Sequence, residues 1–169
     1  MKSIRVLSAV VVFLGICSSA RAIPIDFFVV SGPGTTVTFL LPASPTPTGT
    51  NSACPSNFPP EFCVSGVTTT VNGVPETGDT LEFFDISQGG GLALLPGGNF
   101  PYLVSLVGAQ LYTGPVTAPT FLEGSFAQTN LIDNTDFTVT ITTIPEPGSL
   151  VLLASGGLGI AVLRRRLVG

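Results

Sequence analysis

Turn-forming residues break the central part of this chain at short intervals. They stand at Ser31-Gly32-Pro33-Gly34, Asn72-Gly73, Thr77-Gly78-Asp79, Gly89-Gly90-Gly91, Pro96-Gly97-Gly98-Asn99, Gly114-Pro115 and Asp133-Asn134. Glycine supplies positive φ, and proline fixes φ while removing a donor, so neither continues a helix. No stretch before residue 148 combines helix length with good helix formers and caps. The runs between the turns alternate instead. Phe137, Val139 and Ile141 point one way and Thr138, Thr140 and Thr142 the other, the pattern of an antiparallel strand with one solvated face. Val37, Phe39 and Leu41 repeat it, and 67–71 is a third example. Further strands are expected at 26–30, 81–86, 91–95, 102–112 and 120–128. Val71-Asn72-Gly73-Val74 reads as a two-residue hairpin, because Asn-Gly tolerates positive φ at both central positions. The expected class is all-β: an antiparallel β-sandwich, jelly-roll-like or immunoglobulin-like, with its topology undetermined. An irregular barrel would give the same pattern, and no internal repeat points to a propeller or solenoid.

Charge divides the chain into three parts. Lys2, Arg5 and Arg21 precede residue 22, and Arg164, Arg165 and Arg166 lie within the last six residues. Between Ile23 and Leu163 there are ten acids and no Lys, Arg or His. Nucleic acid is excluded as a partner, since neutralising phosphates needs clustered cations. Nucleophilic catalysis lacks its usual base, and phosphate chemistry lacks a clamp, so no catalytic residue and no cofactor-binding residue is assigned. Carboxylates are the only acid–base candidates. Glu82 and Asp85 have opposite strand parity and would point to opposite faces, so the chain is read as no enzyme. Calcium would suit acids without competing cations, but Asp133-Asn134-Thr135-Asp136 and Glu76-Thr77-Gly78-Asp79 lack EF-hand spacing, and no metal ligand is assigned.

Both ends read as addresses. Lys2 and Arg5 precede an apolar run at 6–16, and Ala20-Arg21-Ala22 follows as a small-x-small site. This is a secretory signal peptide, 1–22, cut by signal peptidase between Ala22 and Ile23. Eleven apolar residues reach only about 16 Å as a helix, too short for a bilayer. At the other end Ile144 and Pro145-Glu146-Pro147 lead into an apolar segment, 148–163, and then Arg164, Arg165 and Arg166. Sixteen residues make a short transmembrane helix whose arginine flank stays in the cytoplasm. Two prolines keep Glu146 extended, out of strand and helix alike.

This tripartite end, 144–169, resembles the PEP-CTERM sorting signal of Gram-negative bacteria that make exopolysaccharide, with Ile144 where the family usually has Val. The resemblance implies that a membrane-embedded exosortase reads Pro145, Glu146 and Pro147, cleaves nearby, and releases or transfers the protein to the outside. It implies an inner-membrane intermediate and then a cell-surface or extracellular location. It says nothing about the domain at 23–143.

Within that domain 42–60 holds six prolines and is expected as an exposed loop. Cys54 and Cys63, with eight residues between them, are expected to form a disulfide in exported protein, making 42–63 a Pro-rich disulfide loop. Two functions remain open. One is a noncatalytic β-domain of the envelope or extracellular polysaccharide matrix, with exopolysaccharide as a candidate partner. The other is a glycan- or protein-binding module, calcium-assisted or not, which would need an exposed aromatic or carboxylate cluster.

Overall fold

The computed structural model describes residues 23–144; the expected signal peptide and the segment from Pro145 onward, with its expected helix at 148–163, lie outside the described residues. Within 23–144 the chain forms eleven strands: β1 (Ile25–Gly32), β2 (Thr35–Pro42), β3 (Gly49–Thr50), β4 (Glu61–Val71), β5 (Val74–Phe84), β6 (Leu92–Leu95), β7 (Val104–Gly108), β8 (Tyr112–Thr113), β9 (Thr120–Phe121), β10 (Gly124–Asn130) and β11 (Asp136–Ile144). The only helical pieces among the described residues are three short 3₁₀ turns, and no helix there is long and apolar enough to cross a membrane.

Alternation selects the inward face of each strand. Phe28 and Val30 of β1, Val37, Phe39 and Leu41 of β2, and Phe137, Val139 and Ile141 of β11 are all buried, while most of the residues between them meet solvent. The hairpin at Asn72-Gly73 forms as expected. Asn72 and Gly73 have φ of 49° and 85°, and Val71 pairs with Val74.

The strands run antiparallel in the order β2-β1-β11-β10-β7-β6-β5-β4, with β3 added to the far side of β4. A further antiparallel pairing joins β2 to β4 through Val37–Val71, Thr38–Thr70 and Phe39–Thr69. The eight-stranded sheet therefore closes on itself. The expected all-β class holds, but the architecture is a closed barrel-like sheet and not a two-sheet sandwich. The reason is physical: both architectures put alternate residues inside, so periodicity cannot separate them, and the three-residue seam between β2 and β4 removes the edges that a sandwich would keep.

Two other expectations change. The stretch 102–112 is not one strand, because the chain turns at Gly108 (φ 153°) and starts again as β8; likewise 120–128 breaks before Gly124 (φ 139°) into β9 and β10. The proline-rich segment is not wholly irregular, since it contributes β3 and the 3₁₀ turn Asn51–Ala53.

Aromatic rings fill the interior. Phe28 stacks on Phe39 at 4.6 Å and Phe62 on Phe83 at 4.9 Å. The β8–β9 ribbon adds Tyr112, edge-on to Phe62 at 4.9 Å, and Phe121, which meets Phe28 at 4.8 Å and Phe83 at 4.9 Å. Its position is fixed by backbone bonds from Phe121 N–H to the Ala43 carbonyl and from Leu122 N–H to the Leu111 carbonyl. Phe121→Ala should therefore destabilise the exported protein by about 3–5 kcal/mol, as truncating a buried aromatic does. Val74→Ala, at a residue 60% exposed on the hairpin, should stay within about 0.5 kcal/mol. Urea unfolding of the two variants checks this, and equal effects would show that the ribbon is not part of the core.

A carboxylate-backed aromatic cleft on the barrel wall

The residues read as processing sites fall at or beyond the ends of the barrel. Ala20 and Ala22, Pro145, Glu146 and Pro147, and Arg164, Arg165 and Arg166 lie outside the described residues. Ile23 is the first described residue and is exposed, and the Pro24 carbonyl already accepts from Ala43 N–H at 2.8 Å.

Cys54 and Cys63 are joined by a disulfide, with their Cα atoms 5.7 Å apart. Cys63 lies on β4 and Cys54 follows the 3₁₀ turn, so the bridge holds the loop against the outer wall of β4 and β5. Gly49 permits this approach, because a Cβ there would stand 2.8 Å from the Ala53 carbonyl oxygen and 2.9 Å from the Cys63 sulfur. Glu61, Cys63 and Glu82 have the parity opposite to the core residues Phe62, Leu81 and Phe83, and would meet water on a bare barrel. Beneath the loop all three are buried.

The loop supplies the donors that these acids need. Ser56 N–H donates to Glu82 Oε1 at 2.8 Å and the Ser56 hydroxyl to Glu61 Oε2, while Phe58 N–H donates to Glu61 Oε1 at 2.6 Å. Tyr102 reaches Glu82 Oε2 from the other side at 3.3 Å. Burial pushes the Glu82 carboxyl above its ordinary range. The Ser56 N–H opposes that rise, and the nearby Glu61 charge adds to it. Burial and the Glu82 charge push the Tyr102 phenol up to about 12.

Beside this pair lies a cleft of about 180 Å³ lined by Phe58, Phe84, Gln88, Tyr102, Ser105, Val107 and Leu131. Phe58 is 58% exposed and Leu131 is 64% exposed. Phe100 packs edge-on against Tyr102 at 4.9 Å and extends the aromatic surface. The cleft combines three aromatic side chains with few free polar groups, because the Gln88 amide donates to the Pro59 carbonyl and the Tyr102 hydroxyl is spent on Glu82.

The acids singled out in the sequence do not assemble into a metal site. Asp85 caps the turn Ile86–Gln88 through Ser87 N–H. Asp79 is buried, accepting from the Thr69 hydroxyl at 2.6 Å and Gly97 N–H at 2.8 Å. Asp133 Oδ1 accepts from Asn130 and from both the N–H and hydroxyl of Thr135, and the Thr135 hydroxyl leads in holding that carboxyl below the usual range. Among the described residues no group of three or more such side chains is placed to hold a metal ion. The two carboxylates that do converge, Glu61 and Glu82, come from the neighbouring strands β4 and β5, a pair that strand parity within β5 alone does not reveal.

A carboxyl raised by folding gives a definite sign. Its contribution to stability is fully present below the ordinary value of 4.5 and is lost as pH rises through the folded-state value. Glu82→Gln keeps an acceptor for Ser56 N–H but cannot ionise. The fall in melting temperature from mildly acidic to mildly alkaline pH should therefore be smaller in Glu82→Gln than in the parent protein. Thermal unfolding at both pH values decides it; identical pH dependence would mean that Glu82 does not titrate between them.

Compared with known proteins, the chain matches a family model for the PEP-CTERM protein-sorting motif over residues 143–166. No curated protein and no solved structure matches it. The motif begins inside the barrel, since Thr143 and Ile144 are the last two residues of β11 and pair with Asp26 and Ile25 of β1. Over residues 143–166 the chain carries the PEP-CTERM sorting motif, the signal of exported, exosortase-processed proteins.

Proposed function

We propose that the barrel is a noncatalytic domain delivered by its sorting signal to the envelope or the extracellular polysaccharide matrix, where it acts as a structural component. The observation that carries this reading is the junction of the sorting motif with a barrel whose buried Glu61, Asp79 and Glu82 are committed to its own loops. Glu61 and Glu82 are both 0% exposed. A glycosidase would need two carboxyl groups open to a sugar across a gap of about 5–10 Å. Here the pair is covered by the disulfide loop and occupied by the N–H groups of Ser56 and Phe58.

A second reading, that of a binding module, is favoured by one observation. The aromatic cleft bounded by Phe58, Tyr102 and Leu131 is the kind of exposed apolar cluster that recognition requires and a purely structural wall does not.

Export has two checks. N-terminal sequencing of the mature protein should begin at Ile23; a start at Met1 would refute the signal-peptide boundary. Glu146→Ala should leave that first cut intact but keep the protein in the membrane with its C-terminal tail attached. In a producing host, loss of the exosortase should have the same effect on the unaltered chain. Equal amounts of full-length, membrane-bound protein with and without the exosortase would overturn the processing reading in favour of a plain anchor.

A further inference from the structure

The binding reading can be carried further, to the chemistry of the partner. We propose that the cleft bounded by Phe58, Phe84, Tyr102 and Leu131 docks a basic segment of a partner protein, anchored by one large apolar side chain.

Size is the first argument. At about 180 Å³ the cleft is smaller than the roughly 300–1,000 Å³ typical of small-molecule sites, and suits a single anchoring side chain. Its polarity is the second. The amide nitrogen of Gln88, the backbone N–H of Ser105 and the hydroxyl of Tyr102 are all engaged within the barrel, to Pro59, Asn130 and Glu82, which leaves the Gln88 amide oxygen and the Ser105 hydroxyl as the polar side-chain atoms of the lining without a partner among the described residues. A hydroxyl-rich ligand such as a sugar would lose its water without regaining enough partners, whereas an apolar side chain needs none.

Charge complementarity selects the surroundings of that anchor. The described residues carry Asp26, Glu61, Glu76, Asp79, Glu82, Asp85, Glu123, Asp133 and Asp136 with no Lys, Arg or His. Asp85 directly follows Phe84, and Asp133 stands two residues beyond Leu131, so acids adjoin the lining residues in the chain on two of its elements. A second copy of this domain would bring like charge to the cleft, while lysines or arginines flanking the anchor would be attracted and could also sit over the exposed rings. The aromatic wall is set beforehand. Phe58 lies in the loop closed by Cys54 and Cys63 with its N–H held by Glu61, so little ordering entropy remains to be lost on docking.

The test uses exported, processed protein as bait for a displayed library of random nine-residue peptides, with a glycan array run in parallel. Enriched peptides should share one Phe, Leu, Ile or Met next to Lys or Arg. A synthetic peptide of that pattern should bind about tenfold or more weakly to Phe58→Ser and to Leu131→Ser, unchanged to Val74→Ser, and more weakly as NaCl rises from about 50 mM to about 500 mM. Circular dichroism of each variant, matching the parent, keeps lost binding distinct from lost fold. Enriched peptides that are acidic or lack an apolar residue, or binding that survives both cleft substitutions, would overturn the proposal. Glycan binding abolished by Phe58→Ser, with no peptide enriched, would overturn it while leaving the binding reading standing. Silence in both assays would overturn both.

Discussion

Closure of the barrel depends on a short pairing between β2 and β4. Only three registered pairs join β2 to β4, against eight between β1 and β2 and nine between β4 and β5. Without them β2 and β4 would be free edges, each offering a row of unpaired N–H and C=O groups to other chains. The seam is reinforced from outside the ladder. Asn72, in the hairpin turn, accepts from Thr36 N–H at 2.8 Å and donates its own backbone N–H to the Thr36 carbonyl at 2.8 Å, while its amide reaches the Gly34 carbonyl at 3.2 Å. The residue that makes the β4–β5 turn thus also ties that turn to the turn between β1 and β2. Inside, the Phe28–Phe39 stack spans β1 and β2 and the Phe62–Phe83 stack spans β4 and β5, one on each side of the seam, and Phe121 touches both.

Hydrogen-bond donors take the part that cations play in many domains. Buried carboxylates usually find Lys or Arg, but the described residues contain neither, and hydrogen-bond donors stand in their place. Asp79 holds the 3₁₀ turn Pro96–Gly98 through Gly97 N–H, Glu61 and Glu82 hold the disulfide loop through Ser56 and Phe58, and Asp133 braces the turn between β10 and β11. Each acid organises a segment that has no regular ladder of its own. Among the described residues the acids form no group of three placed to hold a metal ion, and these four stand where a turn or loop needs an acceptor.

Much of this was legible in the residues, and the limits are instructive. Alternation at Phe137, Val139 and Ile141 identified β11 and its inward face, and Asn72-Gly73 identified a hairpin whose geometry is as expected. The same hairpin held more information than its turn. Counting outward from Asn72-Gly73 places Cys63 opposite Glu82 and Glu61 opposite Phe84, which are the pairs that form. Two irregularities interrupt the count, one with Gly66 as the extra residue on β4 and one compensating it on β5, so the register returns to its starting value. The convergence of Glu61 and Glu82 was therefore within reach of turn chemistry. Closure was not, because which strands meet at the seam is decided by long-range packing that no local pattern records. Tyr102 and Leu131 were equally hidden, for they come together only because β7 lies between β6 and β10.

The join between barrel and sorting motif constrains where processing can occur without damage. Thr143, the first residue of the motif, is also a working part of the sheet: it pairs with Asp26, and its hydroxyl lies 2.7 Å from Asp26 Oδ1 and 2.6 Å from Glu123 Oε1. Asp26 is buried, so a cut before Thr143 would strip the one side-chain donor to that carboxylate among the described residues and shorten β11, the strand between β1 and β10. A cut after Ile144 removes nothing that the ladder uses. Pro145 marks the same limit chemically, since it has no N–H to extend the pairing past Ile25–Ile144. The paired backbone of the barrel therefore ends at Ile144, one residue before the Pro145-Glu146-Pro147 signature.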